Sequence, residues 1–107
     1  MNQAQETKTI LMNARSIISD PNRWTQGELC RDSKGDSIPY NEDEAVCFCS
    51  AGAIHRAQYL YRMKHYMSDP WNKLSDVMGG SIPEFNDNHT HEEVLAKFDE
   101  AIASIKE

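Results

Sequence analysis

Residues 41–67 read NEDEAVCFCSAGAIHRAQYLYRMKHYM, and the periodicity of this stretch decides the fold class. Its apolar positions run Ala45/Val46, Cys49, Ala53, Ala57, Leu60 and then Lys64 or Met67, the spacing of one helical face. Asn41 is placed to cap it, Glu44 stands at the third helical position as in a capping box, and Glu42 and Asp43 suit the positive end of the helix dipole. The spacing therefore predicts one long helix opening at Asn41. Its middle, Cys49-Ser50-Ala51-Gly52-Ala53, is very small. Gly inside a helix costs about 1 kcal/mol relative to Ala, so Gly52 predicts that another element approaches the backbone there. The opposite face carries His55, Tyr59, Arg62 and Tyr66. Tyr59, Arg62 and Tyr66 read either as an aromatic-Arg contact surface or as amphipathic side chains lying over the core.

Working outward, Ile10, Leu11, Ala14, Ile17 and Ile18 recur on one helical face, which predicts a first helix over residues 4–19, stopped by Asp20-Pro21. Asp69-Pro70 opens a shorter helix with Trp71, Leu74 and Met78 on its buried side, and Gly79-Gly80 ends it. Residues 81–89 read as irregular. Thr90-His91-Glu92-Glu93 is a capping box, and Val94, Leu95, Phe98, Ala101, Ile102 and Ile105 form the cleanest apolar stripe, a last helix over about residues 91–106. Residues 22–40 lack a clean period, and Asp32-Ser33-Lys34-Gly35 is a good turn. They predict a short β-hairpin or extended ribbon lying on the helices, anchored by Trp24 and Leu29, because a lone two-stranded ribbon is marginal in water. The predicted fold is mainly α, with about four helices and this ribbon between the first and second, in a single compact domain over residues 1–107. Ser37-Ile38-Pro39 is echoed by Ser81-Ile82-Pro83, which reads as shared capping chemistry.

Composition narrows the functional classes. The chain has 107 residues and a formal net charge of -6. Ile, Leu, Val and Phe number only 19, which flags a shortage of core formers, partly made good by Ala, Met, Tyr, Cys and Trp. No apolar run reaches the roughly 18–20 residues of a membrane span. The N-terminal residues show no basic or apolar leader pattern. Three cysteines are an odd count for a disulfide framework, which points to a reducing, cytoplasmic setting. Seventeen acids against eleven bases argue against a binder driven by phosphate neutralisation, so nucleic acid is not an expected partner.

No catalytic set, metal site or cofactor fingerprint emerges from spacing. Cys49 is the obvious candidate nucleophile, with His89 or His91 nominated as base, Asn86 or Asp87 as orienting group and Gln26 as an oxyanion donor. On a long helix opening at Asn41, however, Cys49 lies about two turns in, too deep for the full end effect on a thiolate. Core packing beside Gly52 is the favoured reading. Cys47 and Cys49, two apart on a helix, point apart and do not share an ion; His89 and His91 straddle a helix start. Asn86-Asp87-Asn88 is oxygen-rich but lacks the Gly and spacing of a calcium loop. There is no Gly-rich phosphate loop, nucleophile elbow or dinucleotide fingerprint. Trp24 reads as a core plug in preference to an exposed recognition residue.

The motifs suggest a family. Trp24-Thr25-Gln26-Gly27, Arg31-Asp32 before the turn at Gly35, Cys49 with Gly52-Ala53 and Ala57, Asn86-Asp87, and Thr90-x-Glu92-Glu93-Val94-Leu95 with Asp99 and Ala101 form its pattern. The chain is similar to a family of small uncharacterised proteins of bacteria and their phages, a domain of unknown function, over about residues 10–105. Phe48 stands where that pattern has Trp, and residues 61–85 form a longer stretch than usual. The resemblance implies a compact unit and no catalytic roles. The leading expectation is a small protein-binding or adaptor module. Its alternatives are a small-ligand binder or enzyme with a pocket near Trp24, Gln26 and Cys49, and a homo-oligomeric structural subunit. Candidate binding residues are Trp24, Gln26, Arg31, Cys49, Tyr59, Arg62, Asn86 and Asp87.

Overall fold

The protein is described by a computed structural model covering residues 2–61 and 69–106. Helix α1 spans Gln3–Ile17; a single 3-10 turn follows at Pro21–Arg23. Strands β1 (Cys30–Arg31) and β2 (Cys47–Phe48) pair antiparallel, Cys30 opposite Phe48. Helices α2 (Ser50–Tyr61), α3 (Asp69–Met78), α4 (Ile82–Asn88) and α5 (His91–Ala103) complete the described chain. The fold is mainly α, as the periodicity predicts.

The helices with clean stripes lie close to where the pattern puts them. Asn2 caps α1 in a capping box with Gln5, and Thr90 caps α5 in one with Glu93. Thr90 N–H donates to the Glu93 carboxylate, and these bonds hold that carboxyl below its ordinary range. Ile10, Leu11, Ala14 and Ile18 meet Val94, Phe98 and Ala101 in the core. Leu74 and Met78 from α3 and Ala53, Ile54 and Ala57 from α2 join them. Helix α1 packs against α2, α3 and α5.

Three expectations need correction. The long helix does not begin at Asn41. Residues 41–46 are loop, Cys47–Phe48 is strand, and α2 starts at Ser50. The acidic run Glu42-Asp43-Glu44 therefore belongs to a loop, whose Glu42 carbonyl accepts from Arg56 Nη1 at 3.0 Å. Lys64, Met67, Arg62 and Tyr66 lie outside the described residues. Secondly, residues 82–88 form α4, with Ser81 as N-cap accepting the Glu84 N–H and Pro83 in the first turn. This separates the two Ser-Ile-Pro segments: Ser81 caps a helix, whereas Ser37 bridges to Arg31 in extended chain. Thirdly, the Leu29 side chain is no anchor, being 42% exposed; it is the Leu29 carbonyl that holds the ribbon, accepting the Cys49 N–H at 3.0 Å.

The ribbon lies between α1 and α2 as expected, its turn at residues 32–35 folding the chain back on β1, and it extends beyond residue 40 to include β2. The β1 strand pairs on one side with β2 and on the other with the returning chain, where Ile38 N–H donates to Cys30 O at 3.4 Å. The outer side of β2 receives Thr25 N–H on Phe48 O at 3.0 Å. Four short segments thus lie side by side in the order 37–38, β1, β2, 24–25. Both edges of the two-stranded pair are covered, which blunts edge-to-edge association.

Candidate functional site

The motif residues converge on one side chain. Asn86, in α4, is fully buried. Its Oδ1 accepts from Trp24 Nε1 at 2.8 Å, from Ser50 N at 2.9 Å and from Ser50 Oγ at 2.7 Å. Its Nδ2 donates to Thr25 O at 3.0 Å and Asp87 Oδ1 at 3.2 Å. One carboxamide therefore ties the Trp24 segment to the first residue of α2. Such a group is costly to bury alone and stabilising when fully bonded.

Neighbouring motif residues extend the same clasp. Gln26 Nε2 donates to Asn86 O at 3.0 Å and His89 O at 3.1 Å, and Gly27 N donates to Asp87 Oδ1 at 2.9 Å. Gly27 has φ +87°, a left-handed conformation that a side chain would strain. Arg31 spans the ribbon, donating to Thr25 Oγ1 at 3.0 Å, Gln26 O at 3.1 Å and Gly35 O at 3.1 Å. Asp32 holds the turn by accepting the Lys34 and Asp36 amides. Trp24, Gln26, Arg31, Asn86 and Asp87 thus stand together. Ser50, central to the clasp, was not legible as a member: in sequence it is one more small residue beside Cys49.

Gly52 meets its expectation. A Cβ there would lie 1.9 Å from Leu29 O, so the ribbon backbone rests directly on α2. Cys49 immediately precedes α2. Its carbonyl accepts the Ala53 N–H at 2.8 Å and its Sγ accepts the Gly52 N–H at 3.3 Å. The thiol is therefore at a helix N-terminus, not two turns inside. Burial nevertheless pushes it up from the ordinary thiol value; the Gly52 and Ala51 amides pull it down, and the Asp87 carboxylate adds a further upward push. The neutral thiol is the favoured form.

A cleft of about 240 Å³ opens beside it, lined by Gly27, Glu28, Leu29, Cys49, Pro83 and Asp87. No histidine lines it. His89 Nδ1 lies 2.8 Å from Phe85 O with its ring stacked on Phe85, and His91 Nε2 lies 2.6 Å from Ile18 O with its ring against Trp24. Each of those ring nitrogens faces a carbonyl, so it serves as a donor and not as a base toward Cys49. Cys30, across the ribbon, donates its thiol proton to Ile38 O at 2.8 Å. Among the described residues, no group of three or more His, Cys, Asp or Glu could hold a metal ion. No helix among them is long and apolar enough to cross a membrane.

Two candidates lie away from this cluster. Tyr59 is half-exposed on α2 beside the exposed Leu60, and Arg62 lies outside the described residues. His55, on the same helix, is stacked on Tyr40 and tilted against Trp71, at ring-centroid distances of 5.2 and 5.6 Å.

What the fold and the clasp define is a small helical domain with a ribbon tied onto its second helix. The model of a family of unknown function (DUF6197) matches residues 2–104, and the chain belongs to that family. No curated protein and no solved structure matches it.

Proposed function

We propose that the chain is a small protein-binding module that receives a basic segment of its partner in the cleft beside Leu29. The observation that carries this reading is the make-up of the cleft: exposed Leu29 and Pro83 offer an apolar wall, and Glu28 and Asp87 line it, each accepting inside the fold through one carboxylate oxygen, from Ser37 Oγ and from Gly27 N–H, and keeping the other for a ligand. Its volume of about 240 Å³ suits a side chain, not a whole cofactor. A lysine or arginine fits such a place, with its methylenes on Leu29 and its charged head at the carboxylates. The surplus of acidic residues would steer such a partner electrostatically. The hydrogen bonds of Trp24, Gln26, Arg31 and Asn86 are directed inward, which supports assigning these four to the scaffold. The adaptor role, and the bacterial or phage origin that the motifs imply, are part of the same proposal, as are a cytoplasmic setting and a single domain.

Titration of the chain with a Lys/Leu peptide and with its Glu/Leu counterpart tests this. Only the basic peptide should bind, and Glu28→Gln with Asp87→Asn should weaken it about tenfold or more, the scale of a charge-assisted bond. Equal binding of both peptides, or indifference to Leu29→Ala and to the charge changes, would overturn the reading. A second reading, self-association, is favoured by the neighbouring exposed Tyr59 and Leu60. Mass measurement at micromolar concentration that returns only monomer would exclude it.

A further inference from the structure

We propose a second, separate binding site, for a small monocarboxylate, in the cleft between the first turns of α1, the start of α3 and the chain after α5. This cleft measures about 320 Å³. Its floor includes Thr7, only 2% exposed, whose hydroxyl has no hydrogen-bond partner among the described residues. Two residues further on, Thr9 shows the usual solution for a helical threonine, donating to Gln5 O at 2.9 Å. Thr7 forgoes the corresponding bond. A buried hydroxyl left unpaired is a costly and uncommon arrangement that calls for an absent partner. Thr7 lines the cleft, and threonine in a helix divides between two χ1 wells, so this hydroxyl is not locked in one direction.

The charges around it select the partner. Asp69 lines the cleft, and its carboxylate accepts from Gln3 Nε2 at 2.5 Å. Lys73, one turn along α3, and Lys106 also line it, and neither ammonium has a carboxylate partner among the described residues. Two cations against one carboxylate leave a single positive charge, which one monoanion neutralises. A phosphate dianion would overshoot that balance beside Asp69. Ala4 and Ile105 complete the wall with apolar surface. A carboxylate on a short aliphatic body satisfies all three features: an oxygen for Thr7, charge for Lys73 and Lys106, and methylenes for Ala4 and Ile105. The site does not depend on the proposed docking cleft.

The test is titration of the isotope-labelled full chain with sodium hexanoate, followed by amide shifts, with 1-hexanol and inorganic phosphate in parallel. Hexanoate should give saturable shifts at Thr7, Lys73 and Lys106, and hexanol none. Lys73→Gln should weaken binding roughly tenfold, the scale of a charge-assisted bond, and Lys106→Gln similarly. Thr7→Val should weaken binding while leaving the melting temperature unchanged or higher, because it removes an unpaired hydroxyl at constant shape. That rise separates a lost ligand contact from a damaged fold. Absence of saturable shifts up to about 50 mM hexanoate, equal shifts with hexanol, tighter binding of phosphate, or unchanged affinity in the lysine and Thr7 variants would each overturn the proposal.

Discussion

The chain is held together in two different ways. Where α1 meets α5, Ile10, Leu11, Ala14 and Ile18 pack on Val94, Phe98 and Ala101, and burial of apolar surface supplies the cohesion. Where the ribbon meets α2 and α4, burial of Cys30 and Phe48 is joined by the bonds of Asn86, Gln26 and Gly27 and by the bare backbone contact at Gly52. The first arrangement loses stability in proportion to the surface and volume removed. The second depends on each donor finding its acceptor, so it is specific and brittle. The shortage of aliphatic residues in the composition reflects this division: the ribbon and α2 are joined by Phe48, by small residues such as Cys30, Ala53 and Gly52, and by polar bonds.

The largest effect should come from Gly52→Ala. A methyl 1.9 Å from Leu29 O forces the ribbon off α2, since neither the helix nor the ribbon backbone yields easily. Loss of the cooperative thermal transition, or a fall in melting temperature well beyond that of a core truncation, is expected; a near-native melt would break the comparison. Phe98→Ala, on the apolar side, should cost about 3–5 kcal/mol in urea unfolding, as large aromatic truncations do. Its cost should come from lost apolar burial and the cavity left behind, with the Trp24 environment kept, as read by near-UV circular dichroism. Thr90→Ala removes the α5 cap and should cost about 1 kcal/mol.

The smallest effect is a pH dependence at His55. Burial between Tyr40 and Trp71 holds its imidazole below the ordinary value of 6.5, so folding favours the neutral ring. Its contribution is present above that value and lost as pH falls through the lowered folded value. His55→Phe should flatten the acid side of a plot of stability against pH while leaving neutral pH little changed. An unchanged acid slope would remove the assignment.

How much of this was legible in sequence follows the same division. The stripes of α1 and α5 and the box at Thr90 announce themselves because helical periodicity and capping are local. Gly52 announced a close approach because a helical glycine needs a reason. The start of α2 is hidden in the sequence because Asn41 and Glu44 imitate a capping box, while the two-residue strand at Cys47–Phe48 is too short to show a period and pairs with distant residues. In sequence, Asn86 belongs to a polar stretch that reads as irregular. Its burial depends on Trp24, Thr25 and Ser50, which are remote in sequence, and no local pattern reports such partners. The Trp24 to Gly27 block and the Asn86-Asp87 pair were visible as motifs, but their joining was not.

The most direct test of the account is the unfolding free energy of Asn86→Ala. If Asn86 is the structural joint between ribbon and helices, the substitution strands Trp24 Nε1, both Ser50 donors and Thr25 O, and should cost about 3 kcal/mol or more. A residue kept for a ligand is replaced at little cost or with a gain in stability. Stability within about 0.5 kcal/mol of the parent, the range of a neutral surface change, would contradict the clasp and return Asn86 to the list of ligand-binding candidates.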